Sequence, residues 1–226
     1  MTIMMTTRQP SSNWGPRSAQ HYKLINMSAV RSMETTHRST TVLRCKVAIV
    51  GDATVGKTAL VQVYKSGGQE FPKNYLTTID VELSVKSVRI PNTNVIVELF
   101  LIDCPGQSVF NQREFGASHY EGASMVMIVF DVSNKESYKS ISKWLQVVKD
   151  ASEKHKVTGV LVGAKTDLRR PNILDSVTSN DAQEWAKTNE MEYFELSAHQ
   201  NTDIEAPFLH IAETFYRKYQ KAVEGA

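Results

Sequence analysis

The sequence has few cysteines and no long apolar run, and these absences narrow the classes of protein to which it can belong. Only Cys45 and Cys104 occur among 226 residues. Both lie in strand-like apolar segments, so we expect buried reduced thiols in an intracellular protein rather than a disulfide. No apolar stretch approaches the length of a membrane-spanning helix. The formal net charge is only +2, without the basic footprint of a nucleic-acid-binding domain.

Acidic residues are nearly absent from the start of the chain. Residues 1–42 hold five Lys or Arg and one acid, Glu34, are rich in Ser and Thr and show no apolar periodicity. This composition predicts a disordered basic extension. A mitochondrial presequence has a similar composition, but the Arg residues do not line one helical face and Gly15-Pro16 interrupts the segment. We therefore expect one folded domain at residues 43–222.

Strands and helices alternate along that domain. Continuous or alternating apolar runs predict strands at Leu43–Val50, Val81–Ile90, Val95–Ile102, Ser124–Val132, Val157–Val162 and Met191–Leu196. Helical spacing predicts helices at Lys57–Lys65, Ser137–Ala151, Asn180–Thr188 and Glu205–Ala222. This order predicts an α/β fold with a six-stranded, mainly parallel sheet and helices on both faces. Ligands are expected at the carboxyl ends of the strands.

A phosphate-binding loop follows the first predicted strand. Residues Gly51–Thr58 read GDATVGKT and fit the pattern G-x-x-x-x-G-K-[ST]. Backbone N–H groups are expected to surround phosphate oxygens along Asp52, Ala53, Thr54, Val55 and Gly56. Lys57 would reach the β and γ phosphates, and the Thr58 hydroxyl would bind Mg²⁺. The pattern predicts a nucleotide site, which kinases, ATPases and GTPases all share.

Further residues near predicted strand ends narrow this choice. Asp103 follows a strand and can hold Mg²⁺ through water, while the N–H of Gly106 can touch a γ-phosphate. Thr78, in the segment before the second strand, can bind Mg²⁺ when a γ-phosphate is present. Gln107 stands where a side chain would orient the attacking water. Together these residues predict a site that responds to the third phosphate.

Residues near the last two strands predict a guanine pocket. The Asp167 carboxylate can accept the ring N–H and the amino protons of guanine, which adenine does not offer. A backbone N–H within Ser197-Ala198-His199 can meet guanine O6. The aromatic ring of Phe71 could stack on the base. Lys165 and Tyr75 complete the predicted nucleotide contacts.

These motifs resemble the small GTPases of the Ras superfamily, and the Rab branch most. The resemblance covers residues 43–222 and rests on the five motifs in order, with YLTTID, FDVSNKESY and GAKTDL as supporting stretches. Segments at Thr41–Leu60, Val97–Asp103 and Glu205–Tyr219 look like the Rab-like subunits of the intraflagellar transport B complex. That resemblance implies GTP or GDP with Mg²⁺, slow GTP hydrolysis, and a place in the cilium or flagellum and in the cytoplasm near the basal body. It also implies a heterodimer with a small β-sandwich subunit, further B-complex contacts and BBSome-linked cargo.

Several positions depart from the superfamily pattern. Ala164 stands where most members have Asn, and we expect the lost hydrogen bonds to weaken nucleotide binding roughly ten- to a hundredfold. His199 replaces the usual Lys, with little expected effect because that base contact is mostly through the backbone. Pro105 has no N–H and fixes φ just before Gly106, and Ala53 adds a methyl group near the attacking water. We therefore expect turnover on the order of 10⁻⁴ per second or slower.

The end of the chain contains no cysteine. Rab proteins reach membranes through a prenylated C-terminal Cys, so we expect this chain to act through protein contacts instead. Two interpretations stay open: a slow GTP-hydrolysing switch, favoured by Gln107 and Thr78, and a nucleotide-stabilised adaptor, favoured by Pro105 and Ala164. An ATP-using enzyme is a distant third.

Overall fold

The chain folds as alternating strands and helices. The computed structural model describes residues 40–74, 78, 80–106, 120–152, 157–170 and 176–225. Its strands are β1 (Thr41–Val50), β2 (Glu82–Arg89), β3 (Val95–Asp103), β4 (Met125–Asp131), β5 (Gly159–Ala164) and β6 (Glu192–Glu195). Its helices are α1 (Lys57–Ser66), α2 (Lys135–Lys139), α3 (Ile141–Ala151), α4 (Ser179–Thr188) and α5 (Glu205–Glu224), with a 3₁₀ turn at Thr166–Leu168.

The six strands form one sheet in the order β2-β3-β1-β4-β5-β6. β2 and β3 form an antiparallel hairpin, and every other neighbouring pair is parallel. The strand order turns at β1, whose two neighbours are β3 and β4. Such a turning point opens a crevice at the carboxyl ends of the strands, and the loop after β1 lies there. The predicted six-stranded, mainly parallel α/β fold is confirmed.

Helices bury both faces of this sheet. On one face α1 and α5 pack over the odd-numbered side chains of β1, and the Tyr64 ring stacks on the Phe208 ring with centroids 3.7 Å apart. On the other face α3 and α4 pack over the even-numbered side chains, with Trp144 fully buried. The continuous apolar runs of β1, β4 and β5 follow from this two-sided burial.

Most element boundaries agree with the sequence prediction to within two residues, and two of the differences have a structural reason. The helix predicted at Ser137–Ala151 is two helices, because Asn134 caps a start at Lys135 and Ser140 interrupts the spiral. The Asn134 side chain accepts hydrogen bonds from the backbone N–H groups of Glu136 and Ser137. β5 begins and ends two residues later than predicted, because Gly163 and Ala164 still pair with β4.

The last helix and the two cysteines complete the core. Phe215 and Tyr216 pack against the α5 side of the core, whereas Tyr219 is 42% exposed. Cys45 and Cys104 are buried free thiols, as predicted, and burial raises the pKa of each to about 12. No helix in the described ranges combines the length and apolar character that crossing a bilayer requires.

Candidate nucleotide-binding site

The loop between β1 and α1 has the backbone shape of an anion cradle. Gly51 and Gly56 have φ angles of 146° and 105°, which side-chain-bearing residues rarely adopt. Thr54 between them is also left-handed, with φ 66°. No side chain caps the start of α1, so the positive end of this ten-residue helix faces the loop without a local acceptor. This arrangement suits a bound phosphate group.

Lys57 supplies the positive charge of the cradle. Its ammonium group is folded back over the loop, where it donates hydrogen bonds to the carbonyl oxygens of Gly51 and Asp52, both at 2.9 Å. The residue is only 6% exposed. Burial lowers the pKa of Lys57, and the nearby carboxylate of Asp103 works in the opposite direction. A bound polyphosphate would supply the anionic partner that this buried ammonium needs.

Three oxygen-bearing side chains meet beside Lys57. The Thr58 hydroxyl donates to Asp103 Oδ2 at 2.5 Å and lies 2.8 Å from the Thr78 hydroxyl. The other carboxylate oxygen of Asp103 is buried and has no hydrogen-bond partner among the described residues. Burial raises the pKa of Asp103, while the Thr58 hydrogen bond and Lys57 lower it. Two hydroxyls and an unsatisfied carboxylate oxygen form a donor set that fits Mg²⁺.

Two cavities that share part of their lining run along the carboxyl ends of the strands. The larger, about 650 Å³, covers the phosphate loop and is lined by Ala53, Thr54, Gly56, Lys57, Thr58, Thr78, Gly106 and Lys165 among others. The smaller, about 300 Å³, is lined by Phe71, Ala164, Lys165, Asp167, Ala198 and His199 among others. Gly56, Ala59, Phe71 and Lys165 contribute to both. The phosphate region and the predicted base region are therefore adjacent.

The base region is organised around Asp167. Its Oδ1 accepts a hydrogen bond of 2.6 Å from the buried Ser197 hydroxyl, which joins two loops 30 residues apart in sequence. Its Oδ2 lies 3.9 Å from His199 Nδ1. The rings of Phe71 and His199 meet edge to face, with centroids 5.3 Å apart. The edge of an aromatic ring, a carboxylate and a backbone turn thus lie around one cavity. This arrangement suits a planar ligand such as a nucleotide base.

Some supporting residues were missed by the sequence analysis. Asp131, at the end of β4, forms an ion pair of 2.8 Å with the Lys165 ammonium. Arg169 and Glu195 form a bidentate ion pair at 2.5 and 2.8 Å, just outside the loop that carries Asp167. No motif marks these pairs, because their members are between 26 and 34 positions apart and each is an ordinary charged residue.

Trp144 lies on the buried face of α3 and also contacts the phosphate loop. It is fully buried, and its indole N–H also donates a hydrogen bond of 2.7 Å to Asp52 Oδ1 in the phosphate loop. The helical pattern around Trp144 predicts its burial but says nothing of a partner 92 positions away. Two other predicted site residues, Gln107 and Tyr75, lie outside the described residues.

The fold and this site define a class of protein. A mainly parallel sheet with a phosphate loop after its first strand, and a carboxylate-bearing base pocket beside it, belongs to the P-loop nucleotide-binding proteins. The Ras family model matches residues 46–217. The chain belongs to the Ras family of small GTPases. Guanine nucleotide binding follows from this membership.

Similar proteins agree with this placement. Intraflagellar transport protein 27 of Chlamydomonas reinhardtii is 43% identical over 187 residues, which cover 81% of this chain and 90% of that protein. The intraflagellar transport protein 27 homolog of Mus musculus is 40% identical over 80% of this chain and 95% of its own length. The Ras-related protein RABA4d of Arabidopsis thaliana is 33% identical over 78% of this chain and 75% of its own length.

Proposed function

We propose that this chain is the GTP- and GDP-binding subunit of an intraflagellar transport B complex and acts in the cilium or flagellum. The observation that supports nucleotide binding is Asp167, which lines a cavity adjoining the phosphate loop and accepts a hydrogen bond from Ser197. The names of the similar proteins support the transport part. A small β-sandwich subunit as heterodimer partner, BBSome-linked cargo and a cytoplasmic pool near the basal body belong to the same proposal.

The proposed site assigns a role to each cluster of residues. The loop from Asp52 to Gly56 and Lys57 bind the phosphates, while Phe71, Lys165, Asp167 and the Ser197-Ala198-His199 turn bind the base. Thr58, Thr78 and Asp103 would hold Mg²⁺, which supplies positive charge to the β and γ phosphates. The unsatisfied carboxylate oxygen of Asp103 supports this assignment. Residues 43–222 form the proposed GTPase domain, preceded by the basic extension at 1–42.

The proposed activity is slow hydrolysis of GTP to GDP and phosphate. Gln107 is the proposed residue that positions the attacking water. The Gln107→Leu variant tests this role, because it should hydrolyse GTP more slowly than the wild type. The N–H of Gly106 is the proposed γ-phosphate contact. The preceding Pro105 restrains the backbone at this point, and Ala53 carries a methyl group on the loop that Gly106 faces. These features support a turnover of about 10⁻⁴ per second or slower.

A second candidate function is a structural adaptor in which nucleotide only stabilises the fold. The observation that favours it is Ala164, whose buried methyl group cannot tie the base loop to the phosphate loop by a hydrogen bond. In that case GTP and GDP would give the same partner affinity, because a ligand that binds two conformational states equally well does not shift the equilibrium between them.

Purification of the tagged full chain from ciliated cells tests the proposal. We expect equimolar guanine nucleotide by chromatography and B-complex subunits, including a small β-sandwich protein, by mass spectrometry. Adenine nucleotide, or the absence of any B-complex subunit, would overturn it. Reloading the isolated complex with GDP or a non-hydrolysable GTP analogue then separates the two candidates: a changed partner affinity supports the switch, and an equal one supports the adaptor.

A further inference from the structure

The Trp144 indole is held rigidly at one side of the phosphate loop. The residue lies on α3, is 0% exposed and packs in the same core cluster as Phe130 and Leu161. Its N–H donates a hydrogen bond of 2.7 Å to Asp52 Oδ1. Buried aromatic rings in a close-packed core have little freedom to move. The indole N–H is therefore a fixed anchor for the Asp52 carboxylate.

Asp52 is a negative charge inside a loop whose expected ligand is itself negative. Its own carbonyl accepts a hydrogen bond from the Lys57 ammonium at 2.9 Å, and the next residue, Ala53, lines the phosphate cavity. A carboxylate that swung toward this cavity would repel phosphate oxygens. The hydrogen bond to Trp144 holds the carboxylate on the α3 side instead.

Gly106, whose N–H is the proposed γ-phosphate contact, lies close to the peptide bond between Asp52 and Ala53. A methyl carbon built on Gly106 would lie 2.6 Å from the carbonyl carbon of Asp52 and 2.6 Å from the Cα of Ala53. Gly106 therefore packs directly on the Asp52–Ala53 peptide. A misplaced Asp52 side chain would put its charge close to the third phosphate. The resulting loss of affinity should therefore be larger for GTP than for GDP.

From these contacts we infer that Trp144 is a positioning residue for the triphosphate: by binding the Asp52 carboxylate it keeps that charge away from the γ-phosphate and sustains the affinity for GTP relative to GDP. This inference rests on guanine nucleotide binding at the proposed site but not on membership of a transport complex. Burial of Trp144 alone predicts no such selectivity, because a packing defect weakens both nucleotide complexes alike.

Trp144→Phe tests the inference, because it removes the indole N–H and keeps an aromatic ring. Trp185→Phe is a matched control: the Trp185 indole N–H donates to the Ser142 hydroxyl at 3.1 Å, between α4 and α3 and away from the loop. For the full chain we expect Trp144→Phe to weaken binding of a non-hydrolysable GTP analogue about five- to tenfold and GDP binding less than about twofold. Equal losses for the two nucleotides, or the same pattern in Trp185→Phe, would overturn the inference.

Asp52→Asn supplies a test that leaves the core untouched. The amide keeps an acceptor oxygen for Trp144 but removes the charge, so the ratio of GTP to GDP affinity should be unchanged or higher. A fall in this ratio of more than about threefold would contradict the inference, whether or not Trp144→Phe folds. In the double variant the loss of selectivity caused by Trp144→Phe should disappear. A loss that persists in the double variant would show that packing, not charge, is responsible.

Discussion

Ala164 illustrates how one side chain alters the site at the scale of the residue. It is the last residue of β5, is 3% exposed, and lines the base cavity together with Gly56 and Ala59 near the phosphate loop. The methyl group offers no hydrogen bond across this cavity. Two other contacts hold the base loop instead: the Lys165–Asp131 ion pair and the hydrogen bond from Ser197 to Asp167.

We expect Ala164→Asn to tighten nucleotide binding. Ala164 lines the base cavity together with Gly56 and Ala59 near the phosphate loop, so an amide at this position can reach across, and one or two added hydrogen bonds between the loops should slow GDP release about tenfold. The measurement is the dissociation rate of a fluorescent GDP analogue. Ala164→Leu serves as the control, because it adds the same number of heavy atoms with the same branching and none of them is polar. Release that is equally slow in both variants, or faster in Ala164→Asn than in the wild type, would contradict this explanation.

At the scale of the element, an ion pair joins the loop after β5 to β6. Arg169 lies two residues after Asp167, and Glu195 lies two residues before Ser197, so the pair connects the two segments of the proposed base pocket. Ser179 and Tyr193 also donate to Glu195, at 2.6 and 2.7 Å. Burial raises the pKa of Glu195, but hydrogen bonds from Arg169, Ser179 and Tyr193 outweigh it and lower the pKa to about 2.

This shift predicts a specific pH dependence of stability. Because the pKa is depressed in the folded state, Glu195 stabilises the fold above its unfolded value of 4.5, and this stabilisation is lost as the pH falls from 4.5 towards 2. Allowing for partial exposure, we expect Glu195→Gln to cost about 2 kcal/mol at pH 7 and progressively less below pH 4.5. Urea denaturation at several pH values measures the difference.

A surface ion pair provides the control for this experiment. Glu98 pairs with Arg44 at 3.3 Å, but the Arg44 side chain is 76% exposed. Glu98→Gln should therefore change the unfolding free energy by less than about 0.5 kcal/mol. A pH-independent cost for Glu195→Gln, or a cost no larger than that of Glu98→Gln, would refute the proposed role of the Glu195 network.

The elements were more predictable from the sequence than their contacts. Apolar runs predicted each strand to within about two residues. The signal is strongest for β4 and β5, which are buried on both faces and therefore read as continuous apolar segments. The start of α2 was missed because it depends on capping by Asn134. The bond from Trp144 to Asp52 was unpredictable, since periodicity reports that a side chain is buried and not which distant polar atom it meets.

At the scale of the whole molecule, the described elements build one sheet with both faces covered, and the site lies at one edge of it. The phosphate loop, the proposed Mg²⁺ ligands and the proposed guanine pocket were predicted from local motifs, most of which lie next to the carboxyl end of a strand. The structure brings Thr58, Thr78 and Asp103 within hydrogen-bonding distance of one another.

Removal of residues 1–39 tests the proposed division of the chain. If the GTPase domain is confined to residues 43–222, the shortened chain should bind GDP within about twofold of the full chain and unfold within about 2 °C of it. Fluorescent nucleotide titration and thermal unfolding with bound GDP are the measurements. A tenfold change in GDP affinity would show that the basic extension takes part in the site.

The central claim is that this site selects guanine nucleotide and holds GTP with slow turnover. Its most direct test is to load the purified full chain with GTP and Mg²⁺ and to follow bound GTP and GDP by chromatography, with excess ATP as competitor. We predict conversion at about 10⁻⁴ per second or slower, with no displacement by ATP. Conversion at about 10⁻² per second, or displacement of GTP by ATP, would contradict the account.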